Sequence, residues 1–184
     1  MLGSGISKGV YMAGVSDMEN KHEIRKWLLE NRREFKRVLD IGAGVGTYAL
    51  MGRFPEQHWT ALEVFEPYVE MFNLTGKYNE VFVGDVRDHA FNDDYNLIIA
   101  ADMLEHMKKD EAKAVVAECL KHCQQLLVCI PLVHHDQEAG PEGNVFETHV
   151  DHWHAEEMRI LLSDRIISEI SGNVVAYFLA QGDL

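Results

Sequence analysis

The chain has 184 residues and 47% hydrophobic content, enough for one substantial core and too little for two full domains. Acidic residues outnumber basic ones 30 to 17, the formal net charge is −13, and no run of basic residues stands out, which disfavours a broad nucleic-acid footprint. No stretch reaches the roughly 18 uninterrupted apolar residues of a membrane span, so no membrane partner is expected.

The opening residues, MLGSGISKGVYMAG, hold one lysine and no continuous apolar stretch, unlike a secretory signal or a transit peptide. Residues 1–18 read as an N-terminal arm, in which Tyr11 and Met12 can lie over a ligand, and 19–184 as the single domain. Ile24, Trp27, Leu28 and Phe35 share a helical face, and a short buried strand follows over 37–41. The turn from Gly42 to Gly46 leads into a helix over 47–54 that Pro55 ends. A second strand covers 59–64. Pro67 opens a helix over 67–74, which Gly76 closes. Further strands are expected over 81–83, 97–101 and 126–130. The last two are separated by a helix with Ala112, Val115, Val116, Cys119 and Leu120 on one face. Short apolar strands alternating with helices predict an α/β fold with a mostly parallel sheet covered on both sides. The tail breaks this rhythm, because 166–170 and 174–180 flank Ser171-Gly172-Asn173 as a hairpin that closes the sheet antiparallel. The segment 131–154 is poor in elements and rich in histidine, the mark of a functional loop. Cys119, Cys123 and Cys129 lie in segments that read as buried and form no CxxC pair, which suits a reducing compartment and a cytoplasmic location.

Chemistry concentrates at the ends of the predicted strands. Val38-Leu39-Asp40-Ile41-Gly42-Ala43-Gly44-Val45-Gly46 is a buried strand running into a Gly-x-Gly-x-Gly turn and then a helix, where glycines let a backbone approach a ligand closely. Asp40 directly before the turn suits an ammonium group better than a pyrophosphate. That spacing disfavours a nicotinamide oxidoreductase. Glu63 ends the second strand, where a carboxylate can accept from both hydroxyls of a ribose. Glu66 is a weaker candidate beside Pro67. Asp85 follows the third strand and can accept from an adenine amino group while Val86 packs on the ring. Three acids after three successive strands fit one adenosyl ligand lying across the carboxyl edge of the sheet.

In this order and spacing, VLDIGAGVG, the strand end at Glu63, GDV and DMLEHM resemble the class I, Rossmann-like S-adenosylmethionine-dependent methyltransferases over nearly the whole chain. Small bacterial and phage-type members resemble it in the loop after strand five as well. The resemblance implies a three-layer sandwich with a seven-stranded sheet, order 3-2-1-4-5-7-6 and strand 7 antiparallel. It implies S-adenosylmethionine as cofactor and S-adenosylhomocysteine as product. Asp40, Gly42, Gly44 and Gly46 would surround the methionine portion, Glu63 the ribose, and Asp85 with Val86 the adenine. Ala43, Val64 and Asp102 complete the expected cofactor-binding set.

Two segments bear on the acceptor. Asp102-Met103-Leu104-Glu105-His106 follows the fourth strand and either shapes the cofactor pocket or, with a further histidine, holds a divalent cation; it resembles the metal-binding segment of ubiquinone-pathway O-methyltransferases and of small-RNA 2′-hydroxyl methyltransferases. No metal is assigned from the sequence. In the 131–154 segment His149 is the expected general base and His106 the second candidate, since an imidazole of near-neutral pKa can take the proton shed on methyl transfer. His152 and His154 read as surface residues, Glu147 as a group orienting a histidine, Trp27 and Trp59 as core; Trp153 is open. The expected acceptor is an oxygen or nitrogen of a small molecule, such as a sugar or a secondary-metabolite precursor. The alternatives are a metal-assisted enzyme acting on a nucleic-acid 3′ end and a non-catalytic cofactor-binding protein. Nothing in the sequence assigns an oligomeric state.

Overall fold

The computed structural model describes residues 18–133, 137, 139–140 and 143–184; Tyr11, Met12, His134, His135 and Asp136 lie outside them. Helix α1 (Lys21–Glu30) buries Lys21, Ile24 and Leu28 on one face and ends at Asn31, whose side-chain amide donates to the Trp27 carbonyl. Phe35 lies past the end of this helix rather than on it, yet it is buried with its ring 5.0 Å from that of Trp27, so the apolar face continues through a turn. Strand β1 (Arg37–Ile41), α2 (Thr47–Gly52) and β2 (His58–Glu63) follow as a βαβ unit.

The single helix expected over 67–74 is two short ones, α3 (Pro67–Met71) and α4 (Leu74–Lys77), and Gly76 lies inside the second. The break falls at Asn73, whose φ of 49° is left-handed, a region that Asn tolerates better than most residues. Lys77 Nζ takes the Phe72 carbonyl beside the break at 2.6 Å. Strands β3 (Glu80–Val83), β4 (Tyr95–Ala101) and β5 (Cys123–Pro131) alternate with α5 (Lys109–Lys121). Both β4 and β5 start before their apolar runs because backbone pairing carries on through polar positions, and Asn96 donates to Gln124 across them. Helix α6 (Ala155–Leu162) precedes the antiparallel pair β6 (Ile166–Ser171) and β7 (Val175–Gln181).

The seven strands run in the order 3-2-1-4-5-7-6, all parallel up to β5, with β7 antiparallel to both neighbours. Pleating divides the sheet into two cores. Leu39, Ile41, Ile98, Ala100, Leu126 and Val128 pack with α5, α6 and Trp153 on one side. Val38, Ala61, Leu97, Ile99 and Leu127 pack with α1 and α2 on the other. Asp40 alternates with Leu39 and Ile41, so its carboxyl shares the face of α1 and α2. Because β1 leads to β2 on one side and pairs with β4 on the other, the chain reverses direction across the sheet between β1 and β4, the crevice where open α/β sheets bind ligands.

Glu19 anchors the start of α1 to the far edge of the sheet. Its carboxylate accepts from the amides of Asn173, Val174 and Val175 at the β6–β7 turn, bonds that hold it below the usual carboxylate range. Although no basic run stands out in the sequence, His22, Arg25, Lys26 and Glu30 of α1 line a shallow groove of about 580 Å³ together with Arg32 and Arg33 of the turn that follows it. All three cysteines are buried and free. Among the described residues, no helix is long and apolar enough to cross a membrane.

Candidate functional site

At the carboxyl edge of β1 the chain turns through Gly42, Gly44 and Gly46, all with positive φ (69°, 50° and 76°). A side chain at Gly46 would be strained by its φ, and a Cβ there would meet Lys77 Cδ at 2.9 Å. Gly42 sits against Met103 from the β4 edge, with 3.1 Å left for a Cβ, so the two strand ends approach closely here. The methyl of Ala43 packs into the core, which leaves its backbone at the turn.

Asp40 is 2% exposed and accepts a 2.6 Å hydrogen bond from the Tyr78 hydroxyl. Burial pushes its carboxyl up to about 7, against the opposing pull of the Tyr78 bond and the Lys21 charge. Glu63, the expected ribose ligand, is buried at the end of β2 and already holds two backbone donors: Gly44 N on Oε2 and Phe65 N on Oε1, each at 2.9 Å. Burial raises its pKa while those bonds lower it. It therefore ties the glycine turn to the end of β2. Val64 beside it is half-buried. Asp85 caps the 3₁₀ turn Val86–Asp88 by accepting from Arg87 N, and it also takes Arg87 Nε at 2.9 Å and Nη2 at 2.5 Å. The Arg87 hydrogen bonds hold its carboxyl below the usual range, and an adenine amino group has to share it with that guanidinium. Val86 is buried in the α5 core. Glu66 is exposed.

Asp102, the residue after β4, has a φ of 53°, a costly backbone conformation of the kind that collects at functional sites. The Cys129 thiol donates to its Oδ1 at 3.1 Å, and Oδ2, buried and without a hydrogen bond among the described residues, forms an ion pair with Lys21 Nζ at 3.6 Å. Sequence reasoning missed Lys21. It is 2% exposed, points inward from the first turn of α1, and donates to the hydroxyls of Tyr48 and Tyr177, both at 2.7 Å.

The next residues form the 3₁₀ turn Leu104–His106, and the segment after β5 lies against it. Val150 N and Asp151 N both donate to the Glu105 carbonyl, while His106 Nδ1 stands 3.2 Å from the Thr148 carbonyl and so carries the hydrogen. At its other side, the segment is held by Tyr68 of α3, whose hydroxyl donates to Glu147 Oε1 at 3.1 Å. Gln137 also donates to the Glu147 carbonyl. The segment thus reaches from the β2 side to the β4 side of the carboxyl edge. Trp153 is buried core, its indole N–H aimed at the Leu104 carbonyl. Trp59 is buried as expected, Trp27 packs at the core margin, and His154 is exposed.

Folding brings His106 and His149 together, with ring centroids 5.1 Å apart. Glu105 joins them: each of the three offers one ligand atom, all within 4.8 Å of one another. Glu105 is buried, its Oε2 has no hydrogen-bond partner among the described residues, and burial together with the Asp102 charge raises its pKa well above the carboxylate range. One carboxylate and two imidazoles make a donor set suited to a transition-series divalent ion. Asp102, grouped with Glu105 and His106 in the sequence, instead faces Lys21 and Cys129.

The sequence profile of a family described as a methyltransferase domain matches residues 17–165. Among solved structures, the PH0226 protein of Pyrococcus horikoshii OT3 superposes with a TM-score of 0.69 at 17% identity, covering 94% of each chain. The N-terminal domain of EvdMO1, crystallised in the presence of SAH and D-fucose, gives 0.66 at 16% identity, covering 95% of this chain and 90% of that one. The N-methyltransferase NodS of Bradyrhizobium japonicum WM9, in complex with S-adenosyl-l-homocysteine, gives 0.64 at 13% identity over 92% and 90%. No curated protein matches the chain.

Proposed function

Since the chain belongs to the methyltransferase-domain family, the class I enzymes that use S-adenosylmethionine, we propose that it methylates an oxygen or nitrogen of a small-molecule acceptor, with His149 or His106 receiving the acceptor's proton. The observation that carries this reading is the His106–His149 pair, in which His106 lies four residues beyond the strained Asp102 at the β4 edge and His149 comes from the segment after β5. When bound, the cofactor supplies a methyl group activated on a sulfonium, which passes to the acceptor's lone pair and leaves a neutral thioether. The protein's share is alignment, exclusion of water and a proton acceptor. Asp40, Asp102 and the backbone of the glycine turn would hold the amino-acid end, Glu63 and Val64 the ribose, and Asp85 with Val86 the adenine. The glycine cradle fits such a ligand, and Asp102 Oδ2 has no hydrogen bond among the described residues.

Carboxylates dominate the site: Asp40, Glu63, Asp102, Glu105 and Glu147 stand close enough to perturb one another or their neighbours. Burial draws Asp40, Glu63 and Glu105 toward their neutral forms, so the lining offers both hydroxyl donors and carboxylate acceptors, a mixture that suits a polyhydroxylated or amine-bearing acceptor better than an anionic one. The neighbours support a small acceptor by analogy: one was crystallised with D-fucose present and another is an N-methyltransferase. The buried free cysteines favour the cytoplasm as its location. The test is a panel of sugars, polyols, amines and carboxylic acids offered with methyl-labelled cofactor. Label should enter hydroxyl or amino compounds. Cofactor binding with no transfer to any pool would support the non-catalytic alternative.

A second reading is favoured by Glu105, His106 and His149: a divalent cation there would orient and acidify an acceptor hydroxyl. Titration with Mn²⁺ alone, followed by calorimetry and by melting temperature, checks it. Saturable binding that Glu105→Gln removes supports the cation; no binding leaves the histidines as proton acceptors.

A further inference from the structure

We propose that the basic stripe along the outer side of α1 is a docking surface for an acidic helical segment of a partner protein. Residues 21–37 hold seven of the chain's 17 lysines and arginines but three of its 30 acids, so this stretch carries +4 while the other 167 residues carry −17. Lys21 is buried against Asp102, and Arg37 is paired with Asp93. Most of the remaining positive charge faces outward. His22, Arg25, Lys26 and Leu29 fall at i, i+3, i+4 and i+7 on a stripe beside the buried Ile24 and Leu28, and Arg32 and Arg33 extend it past the helix end around the shallow groove. Arg25 and Arg33 are exposed and have no carboxylate partner among the described residues. Lys26 has Glu30 at 3.9 Å, an exposed pair of the kind that contributes little. Cations gathered around one groove repel one another, and an anionic partner relieves that repulsion.

The stripe selects among anions by its length and its floor. Its basic groups are spread along a helix of ten residues, about 15 Å, and do not converge on one point, so they match a row of carboxylates rather than a compact polyphosphate. Leu29, half-buried among them, offers the apolar contact that an amphipathic helix seeks in a groove. A nucleic-acid strand or an anionic membrane would run on past the stripe against a body of opposite sign to it, whereas an acidic segment of two or three turns would not. Residues 1–17 contain one lysine and one aspartate, so the chain's own N-terminal arm lacks the matching charge. The stripe also has a direction. Lys21 in the first turn of α1 meets Asp102 beyond β4, while Arg37 opens β1 at the opposite edge, so the His22 end lies toward the candidate site and a docked segment ends near its rim.

The probe is a fluorescent helical peptide of about four turns with glutamates at i, i+4 spacing beside a row of leucines, followed by anisotropy. The wild-type chain should bind it saturably and about tenfold more tightly than a counterpart in which glutamines replace the glutamates, with affinity falling about tenfold as salt is raised from about 50 to 300 mM. Arg25→Glu combined with Arg33→Glu should lower the affinity about tenfold or more, with the melting temperature and S-adenosylhomocysteine affinity as in the wild type. No saturable binding, or equal affinity for the two peptides, overturns the proposal without any variant, should the double variant not fold. Tighter binding of a single-stranded oligonucleotide of equal charge overturns it in favour of nucleic acid. Self-association at low salt that the double variant abolishes, seen by sedimentation, overturns it in favour of an interface between copies of this chain.

Discussion

Asp40 is the most perturbed acid that faces the glycine turn, and its titration has a definite sign. Burial holds it near 7 in the fold, against an ordinary value of 3.8, among Tyr78, Lys21 and Glu63. The protonated form is therefore favoured by folding. Stability from this group is fullest below about pH 4 and is lost as the pH rises through about 7. Ligand binding runs the other way, because the cofactor's ammonium needs the carboxylate. Affinity for S-adenosylhomocysteine should rise with pH up to about 7 and then level off. Calorimetry between pH 5.5 and 8 checks this, with Asp40→Asn expected to bind about tenfold more weakly and without the rise. The same slope in the variant would assign the proton elsewhere. At the acceptor side, His149→Ala and His106→Ala should each lower turnover by about 10²–10⁴-fold with S-adenosylhomocysteine affinity unchanged. A matching loss of affinity would instead place the histidine against the cofactor.

Among the elements, the crossing of α1 and α2 matters most for the site, because it aims Lys21 and Tyr48 at each other. Gly52 makes the crossing possible: a Cβ there would fall 2.9 Å from Leu28 Cβ and 2.8 Å from Leu28 Cδ1. Gly52→Ala should cost about 1–3 kcal/mol, read as a melting temperature several degrees lower. An unchanged melting temperature would mean that the helices part without strain. The glycine turn and the strand-end acids were legible in the sequence because a strand delivers residues in a fixed order to one edge, so spacing along the chain is spacing in the site. Lys21 was not legible. At i, i+3, i+7 it shares a face with Ile24 and Leu28, but its partners Tyr48 and Tyr177 lie 27 and 156 residues away, and local pattern carries no signal of them. The break at Asn73 escaped for a related reason: Pro67 and Gly76 bound a helix credibly, and only the left-handed residue between them divides it.

For the whole molecule, alternation of strands and helices and the terminal hairpin were enough to anticipate a mostly parallel sheet closed antiparallel, whereas the strand order 3-2-1-4-5-7-6 followed from the resemblance to the class I methyltransferases, and the fold has that order. The segment after β5 was legible only as a long histidine-rich loop. Its place across the carboxyl edge depends on Tyr68, Glu105 and Gln137, contacts that only the folded chain creates. In the proposed function, one adenosyl ligand occupies the crevice between β1 and β4. Amide hydrogen exchange of the full chain with and without S-adenosylhomocysteine tests this most directly. Protection should appear in 42–46 and at 102–106, with α5 and the β6–β7 hairpin unaffected. Saturable binding that protects other segments and leaves the glycine turn exchanging as before would contradict it.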